Sequence, residues 1–169
     1  MVNWHEATAL AEADGAAKLW IHLWTIECAY WQDVDFNNGS DAASFYTVTG
    51  VFDIGVPGSR MEGQEEIAAF YGRRQARGTR TTLHSVTNFM LTAWGEDWAE
   101  TRSIMSLMGA DGAPPCTSGV PIMTAASENH YIRSLHGWQV TKRILTPCFT
   151  DEGNLPLREI NETRSENVG

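Results

Sequence analysis

The sequence has little of what marks a membrane-spanning, disulfide-stapled or nucleic-acid-binding protein. No apolar run approaches the roughly 18 residues that a transmembrane helix needs. Cysteine is scarce: Cys28, Cys116 and Cys148 are odd in number and lack a CxxC pair, so neither a disulfide framework nor a zinc site is predicted. Basic residues are few, with 12 Lys and Arg against 21 Asp and Glu. These shortages exclude a membrane span and argue against nucleic-acid and membrane-surface partners.

Signatures of cofactor chemistry are also missing. GxGxxG, GxxxxGK[ST], HExxH and GxSxG do not occur, and the five histidines lack metal-ligand spacing. We therefore predict no cofactor and no metal. Residues 1–10 lack the basic start of a secretory signal, so the expected location is the cytoplasm, with free thiols.

What is present fits one soluble globular domain. The 169 residues are 43% hydrophobic and 20% charged, with seven Trp, six Phe and four Tyr to fill a core and line a pocket. Residues 1–150 are predicted to form this domain, because the chain turns polar after Pro147 and residues 151–169 read as a C-terminal tail.

Hydrophobic periodicity predicts helices first and strands later. Residues 5–37 read as helix, broken near Asp14-Gly15, with an apolar stripe of Leu19, Leu23, Ile26 and Tyr30. After this helix we predict a short helix to about residue 46, a strand over 47–54 and a helix over 62–77. The arginines of residues 73–80 read as the solvated end of that helix.

Long strands are then predicted over 80–94, 98–108, 120–135 and 138–146. The order predicts an α+β fold in which a strongly curved, mostly antiparallel sheet wraps on N-terminal helices, as a cone with an apolar pocket.

Two residues suggest acid–base chemistry. Asp35 lies at the end of the long helix and His84 lies early in a strand, where alternation places it on one side with Val86, Asn88 and Met90. A carboxylate on one imidazole nitrogen fixes the tautomer and leaves the other nitrogen to remove a proton. A structural histidine and a capping aspartate are the alternative interpretation.

Several motifs, in order, resemble one family over roughly residues 10–147. They are Tyr30…Asp35, Ala43-Ser44-Phe45-Tyr46-Thr47…Gly50-Val51-Phe52-Asp53, Gly63-Gln64-Glu65-Glu66-Ile67, Thr82-Leu83-His84…Asn88 and Gly137-Trp138-Gln139-Val140…Arg143. This arrangement is similar to the SnoaL-like group of the NTF2-like superfamily. One departure is the segment after the long helix, Val34-Asp35-Phe36-Asn37-Asn38, which lacks the second acid of the family's L-D-x-G-D.

The resemblance implies an NTF2-like cone that assembles as a homodimer or homotrimer. The group includes scytalone dehydratase and hexachlorocyclohexane dehydrochlorinase, which eliminate a small leaving group without a cofactor. By that resemblance His84 is the general base and Asp35 orients it. A donor that aids the leaving group or holds the developing oxyanion is also needed, and Tyr30 is our candidate for this third catalytic residue. The expected function is a lyase (dehydratase, dehydrohalogenase or aldehyde-releasing elimination) acting on a small apolar, aromatic molecule.

Six further residues are predicted to contact that substrate: Trp24, Trp31, Tyr46, Asn88, Tyr131 and Arg133. Two alternatives stay open, because base and pocket are common to several reactions of one fold. The same dyad suits an isomerase or a cyclase. A non-catalytic role, such as the β subunit of a ring-hydroxylating dioxygenase, needs no dyad.

Overall fold

The computed structural model describes residues 8–9, 12–13, 15–117, 119–135 and 137–151. The predicted tail beyond residue 151 lies outside the described residues, and so does most of the helix predicted before Gly15. The rest of the chain forms two helices and a six-stranded sheet. This is the α+β cone that the sequence predicts.

Helix α1 spans Ala16–Phe36 and begins directly after Gly15, whose φ of 77° is a left-handed conformation that glycine adopts readily. The predicted stripe packs on the core, with Leu23 and Tyr30 buried and Leu19 and Ile26 half-buried against it. The fully buried positions of α1 are Ala16, Leu23, Glu27, Tyr30, Trp31 and Val34. A glutamate therefore lies in the middle of the face that packs on the sheet.

A short 3₁₀ helix, Ala42–Phe45, leads into strand β1, Tyr46–Asp53, and strand β2, Arg60–Glu62. Helix α2, Gln64–Ala76, follows, with two acidic residues in its first turn and two arginines in its last, as its dipole favours. Its inner side buries Ile67 and Tyr71 against the core.

Four long strands complete the sheet: β3, Arg80–Trp94; β4, Trp98–Asp111; β5, Met123–Ser134; and β6, Gly137–Thr150. The strand order is β2-β1-β6-β5-β4-β3, so β3 lies at one edge. All neighbours pair antiparallel except β1 and β6, which are parallel. No described helix is long and apolar enough to cross a membrane.

An irregularity in β3 corrects one sequence-based expectation. The pairing of β3 with β4 shifts between Thr87 and Met90, and Asn88 there has a φ of 52°. This bulge reverses the alternation of the strand, so His84 and Val86 do not share a side with Asn88 and Met90 as predicted. Asn88 is exposed, and Phe89 packs against the core in its place.

Candidate active site

Asp35 and His84 meet where the end of α1 crosses the start of β3. The Nδ1 atom of His84 lies 2.6 Å from Oδ1 of Asp35, and the backbone N–H of His84 donates to Oδ2 at 2.7 Å. The hydroxyl of Thr82 also donates to Oδ1, at 2.9 Å. The structure therefore brings together the two residues that the sequence pairs, and it adds Thr82 as a third contact.

The position of β3 in the sheet explains this geometry. As an edge strand it has backbone groups without a neighbouring strand, and such edges need a cover. The Asp35 carboxylate covers this edge because it accepts the N–H of His84. Thr82 and His84 are two residues apart, so alternation places both side chains on the side that faces Asp35.

The electrostatic surroundings favour an ionised aspartate and a neutral imidazole. Burial by itself raises the pKa of Asp35, but the hydrogen bonds from His84 and Thr82 outweigh it and hold this pKa below its usual value. Burial lowers the pKa of His84 and outweighs the opposing effect of Asp35. At neutral pH the imidazole thus donates its Nδ1 proton to Asp35 and keeps a lone pair on Nε2.

Trp31 completes the immediate environment of the histidine. Its indole stacks on the imidazole, with ring centroids 4.1 Å apart and planes 17° apart. The side chains of His84 and Asp35 are only 7% and 4% exposed. Within the described part of the chain, no group forms a hydrogen bond with Nε2 of His84. The arrangement can therefore accept a proton at Nε2 in a place that is largely closed to water.

A buried ion pair lies beside this dyad, and the sequence analysis missed it. Glu27 and Arg143 are both completely buried, and the guanidinium binds the carboxylate through two hydrogen bonds of 2.9 and 2.7 Å. The Glu27 carboxylate also accepts hydrogen bonds from Trp31 Nε1, Asn129 Nδ2 and the Tyr131 hydroxyl. Burial opposes the charge on Arg143, yet Glu27 keeps the pKa of Arg143 well above its usual value.

One signal in the sequence was available for this pair. Glu27 lies four residues after Leu23 and three before Tyr30, on the apolar face of α1, where an unpaired glutamate is hardly ever found. That position requires a buried cation, but the sequence does not say which of the 12 basic residues supplies it.

Tyr30, the predicted third catalytic residue, lies in a cluster of buried phenols. Its hydroxyl is 2.5 Å from that of Tyr71 and accepts a hydrogen bond from Tyr46 at 3.2 Å. The Arg143 guanidinium lies over its ring, 4.0 Å from the centroid. Burial raises the pKa of all three phenols, that of Tyr46 to about 12. They are therefore protonated at neutral pH and hydrogen-bond to one another.

Polar groups are buried inside the predicted cone. Trp31, Tyr46 and Tyr131, three of the predicted substrate contacts, are 5%, 0% and 2% exposed. They surround a buried ion pair and a network of hydroxyl groups. The interior next to the dyad therefore contains a polar network, because Glu27 and Arg143 must be solvated by neighbouring donors and acceptors.

The remaining predicted contacts lie away from the dyad. Trp24 packs in an aromatic group with Trp20 and Phe89. Arg133 is exposed and lines a cleft of about 340 Å³ near the start of α1, together with Trp94 and Trp138. Leu19, another lining residue of this cleft, precedes Asp35 by 16 helical residues, or about 24 Å along the helix. The described residues include no cluster of side chains suited to a metal ion.

Comparison with known proteins places the chain in a family. The model of the SnoaL-like domain matches residues 26–144, so the chain belongs to the SnoaL-like domain family. No curated protein matches the chain.

Three solved structures illustrate the shared NTF2-like fold, each with a TM-score of 0.66. A protein from Novosphingobium aromaticivorans, provisionally named an aromatic ring hydroxylase, is 21% identical, and the match covers 77% of this chain and 89% of that protein. ActVI-ORFA from Streptomyces coelicolor is 13% identical, with 77% of this chain and 98% of ActVI-ORFA covered. A provisionally named scytalone dehydratase from Novosphingobium aromaticivorans is 14% identical, with 79% of this chain and 86% of that protein covered. These identities support the fold alone.

Proposed function

We propose that the protein is a cofactor-independent lyase that eliminates a small leaving group from an apolar, aromatic molecule. The observation that carries the proposal is the 2.6 Å hydrogen bond between Nδ1 of His84 and a buried, ionised Asp35. This hydrogen bond leaves Nε2 as the only basic atom of the ring. A neutral, oriented imidazole is what a general base requires at neutral pH.

The proposed reaction begins with removal of a proton by Nε2 of His84 from a carbon next to an activating group. In a dehydration or dehydrohalogenation, the electrons of that C–H bond form the new double bond, and the leaving group departs as halide or as hydroxide that takes the proton from the imidazolium and leaves as water. In a release of an aldehyde, Nε2 instead removes the proton of a hydroxyl group, the adjacent C–C bond breaks, and its electrons pass to the activating group. Asp35 stabilises the imidazolium through its hydrogen bond with Nδ1. A positioned acid–base group of this kind contributes about 10²–10⁴ in rate. Tyr30 stays the candidate hydrogen-bond donor to the leaving group.

The surroundings of the base bear on its substrate. The His84 side chain keeps 7% of its surface exposed, and substrate access to Nε2 is part of this proposal. Trp31 stacks on the imidazole and Tyr30 packs on Trp31, so the base lies among aromatic rings. An aromatic substrate class fits these surroundings.

Two other functions have some support. The same dyad starts an isomerisation or a cyclisation if the electrons move into the carbon skeleton instead of expelling a group. A non-catalytic role, such as the β subunit of a ring-hydroxylating dioxygenase, is the second alternative. We rank this role below the lyase, because a non-catalytic subunit does not require a neutral, oriented histidine.

Assembly into a homodimer or homotrimer in the cytoplasm is part of the proposal. Large apolar side chains are exposed on the sheet, including Val48 at 76% and Phe149 at 75%. Exposed apolar groups of this size favour association. Light scattering after size-exclusion chromatography measures the assembly state directly, and a monomeric mass would contradict this part of the proposal.

The experiment is a turnover screen with matched variants. Aromatic substrates that carry an acidic C–H beside a hydroxyl, halide or aldol linkage are incubated with the protein, and the new conjugated double bond or aldehyde is followed by ultraviolet absorption. His84→Gln and Asp35→Asn should abolish or strongly reduce turnover. His130→Gln, which changes a half-buried histidine on β5, is the control and should keep it. Turnover that survives both dyad variants would disprove the mechanism.

A further inference from the structure

A chain of hydrogen bonds extends from the dyad to helix α2. Nη2 of Arg74 donates to the hydroxyl oxygen of Thr82 at 2.5 Å, and that hydroxyl donates to Oδ1 of Asp35 at 2.9 Å. Oδ1 is the same oxygen that Nδ1 of His84 contacts. Arg74 was expected to belong to the solvated end of α2, but it is half-buried and points at β3.

The direction of each hydrogen bond is fixed by the donors available. A guanidinium has no acceptor, so the Thr82 oxygen must accept from Arg74. Its single proton is then free for the neighbouring carboxylate, which only accepts. Thr82 is 7% exposed, so water does not compete for its hydroxyl. The hydroxyl is therefore held in one orientation, with its proton on Asp35.

We propose that Thr82 and Arg74 are positioning residues of the dyad. Arg74 locks the Thr82 hydroxyl, and Thr82 anchors Oδ1 of Asp35 so that the carboxylate stays in line with Nδ1 of His84. The arrangement joins α1, β3 and α2 at one point. Its catalytic consequence rests on the proposed function, whereas its effect on the protonation of His84 does not.

The charges that act on His84 are few. Asp35 approaches from α1, Arg74 from α2 and Arg143 from β6, while the residue opposite on β4 is Leu107. Thr82→Val changes none of these charges and keeps the shape of the side chain. It removes one donor from Asp35, which makes the carboxylate a stronger acceptor for a protonated His84. The variant thus separates the hydroxyl contact from charge effects.

The first readout is an NMR titration of the imidazole nitrogens in ¹⁵N-histidine-labelled protein, with the His84 signals assigned by their loss in His84→Gln. Thr82→Val should raise the titration midpoint of His84 by about 0.5–1 pH unit, the size expected for one lost hydrogen bond. Thr82→Ser, which keeps the hydroxyl, should restore the original midpoint. Identical titrations in Thr82→Val and the parent protein would overturn the proposal.

A second pair of variants tests Arg74 and keeps the proposal testable if Thr82→Val does not fold. Arg74→Lys keeps the positive charge that by itself lowers the pKa of His84, but it removes the guanidinium that fixes the Thr82 hydroxyl, so it should raise the midpoint. Arg73→Lys, on the exposed side of α2, is the control and should leave the midpoint within about 0.2 unit. An unchanged midpoint in Arg74→Lys, or equal shifts in both variants, would contradict the positioning role.

With a substrate from the turnover screen, Thr82→Val should lower kcat about tenfold and leave KM nearly unchanged, because Thr82 orients the base without touching substrate. The failures are distinguishable. If turnover requires His84 but Thr82→Val changes neither the titration nor kcat, the positioning role is wrong and the lyase stands. If the titration shifts as expected and no elimination occurs, the positioning role stands and the lyase is wrong.

Discussion

Replacing Glu27 with glutamine tests the central electrostatic feature of the fold. Either orientation of the new amide places its NH₂ group against a donor of Arg143, because the guanidinium binds both carboxylate oxygens. Arg143 is completely buried and cannot turn to water. Removing one partner of a buried ion pair leaves an uncompensated charge, which costs about 3–5 kcal/mol. That is a fifth or more of the roughly 5–15 kcal/mol that stabilises a typical domain.

Urea denaturation followed by tryptophan fluorescence measures this loss. With a slope of about 2 kcal/mol per molar, the midpoint of Glu27→Gln should fall by roughly 2 M. Glu128→Gln is the matched control, since its ion pair with Arg102 is exposed and is worth no more than about 1 kcal/mol. The double variant Glu27→Leu/Arg143→Met should recover part of the loss, because it removes both charges but leaves the donors of Trp31, Asn129 and Tyr131 without their acceptor. A Glu27→Gln protein within about 1 kcal/mol of the parent would refute the reasoning.

Three further predictions follow from the site and the fold. The pKa of His84 is lowered from 6.5, so turnover should be full at pH 7 and fall only as the pH drops below 6.5 through the folded-state pKa. A pH–rate profile with its acid limb above pH 6.5 would contradict this prediction. Asp35 has a lowered pKa, so its contribution to the free energy of unfolding should be present above pH 3.8 and be lost as the pH falls through its folded-state pKa. Asp35→Asn should remove this pH dependence from the acid-unfolding curve. The same variant should reduce kcat by about 10²–10⁴. Gly55→Ala should destabilise by more than about 2 kcal/mol in thermal denaturation, because its Cβ would lie 2.1 Å from the carbonyl oxygen of Leu145 at a φ of 78°. Gly78→Ala, at a similar φ in open space, should cost only about 1 kcal/mol, and equal losses would show that the contact is unimportant.

The order of elements was predictable because it depends on local pattern. Apolar periodicity and turn residues located both helices and every long strand, and β3 was predicted with its observed ends, Arg80–Trp94. The bulge at Asn88 was not predictable in this way. It depends on how β3 pairs with β4, and a single extra residue reverses which side chains face the core.

The pairing of Asp35 with His84 came from motifs in the sequence, since both residues stand at fixed places in a helix and a strand. The sequence does not show that Arg74 and Thr82 join them, because α2 and β3 meet only in the folded chain. The nature of the interior was also not foreseen. Aromatic content predicted an apolar pocket, but not the buried pair of Glu27 and Arg143, which are 116 residues apart and add a polar network to that interior.

By itself, then, the sequence determined the fold class, the place of His84 early in a strand and its pairing with Asp35. Local propensities and short motifs are sufficient for these, because each rests on neighbours along the chain. Only the tertiary structure decided which side chains are buried together, which charges are neutralised and which proton His84 holds. Those properties depend on contacts between distant residues and on the loss of water around them, and burial is what converts a histidine beside an aspartate into a neutral base.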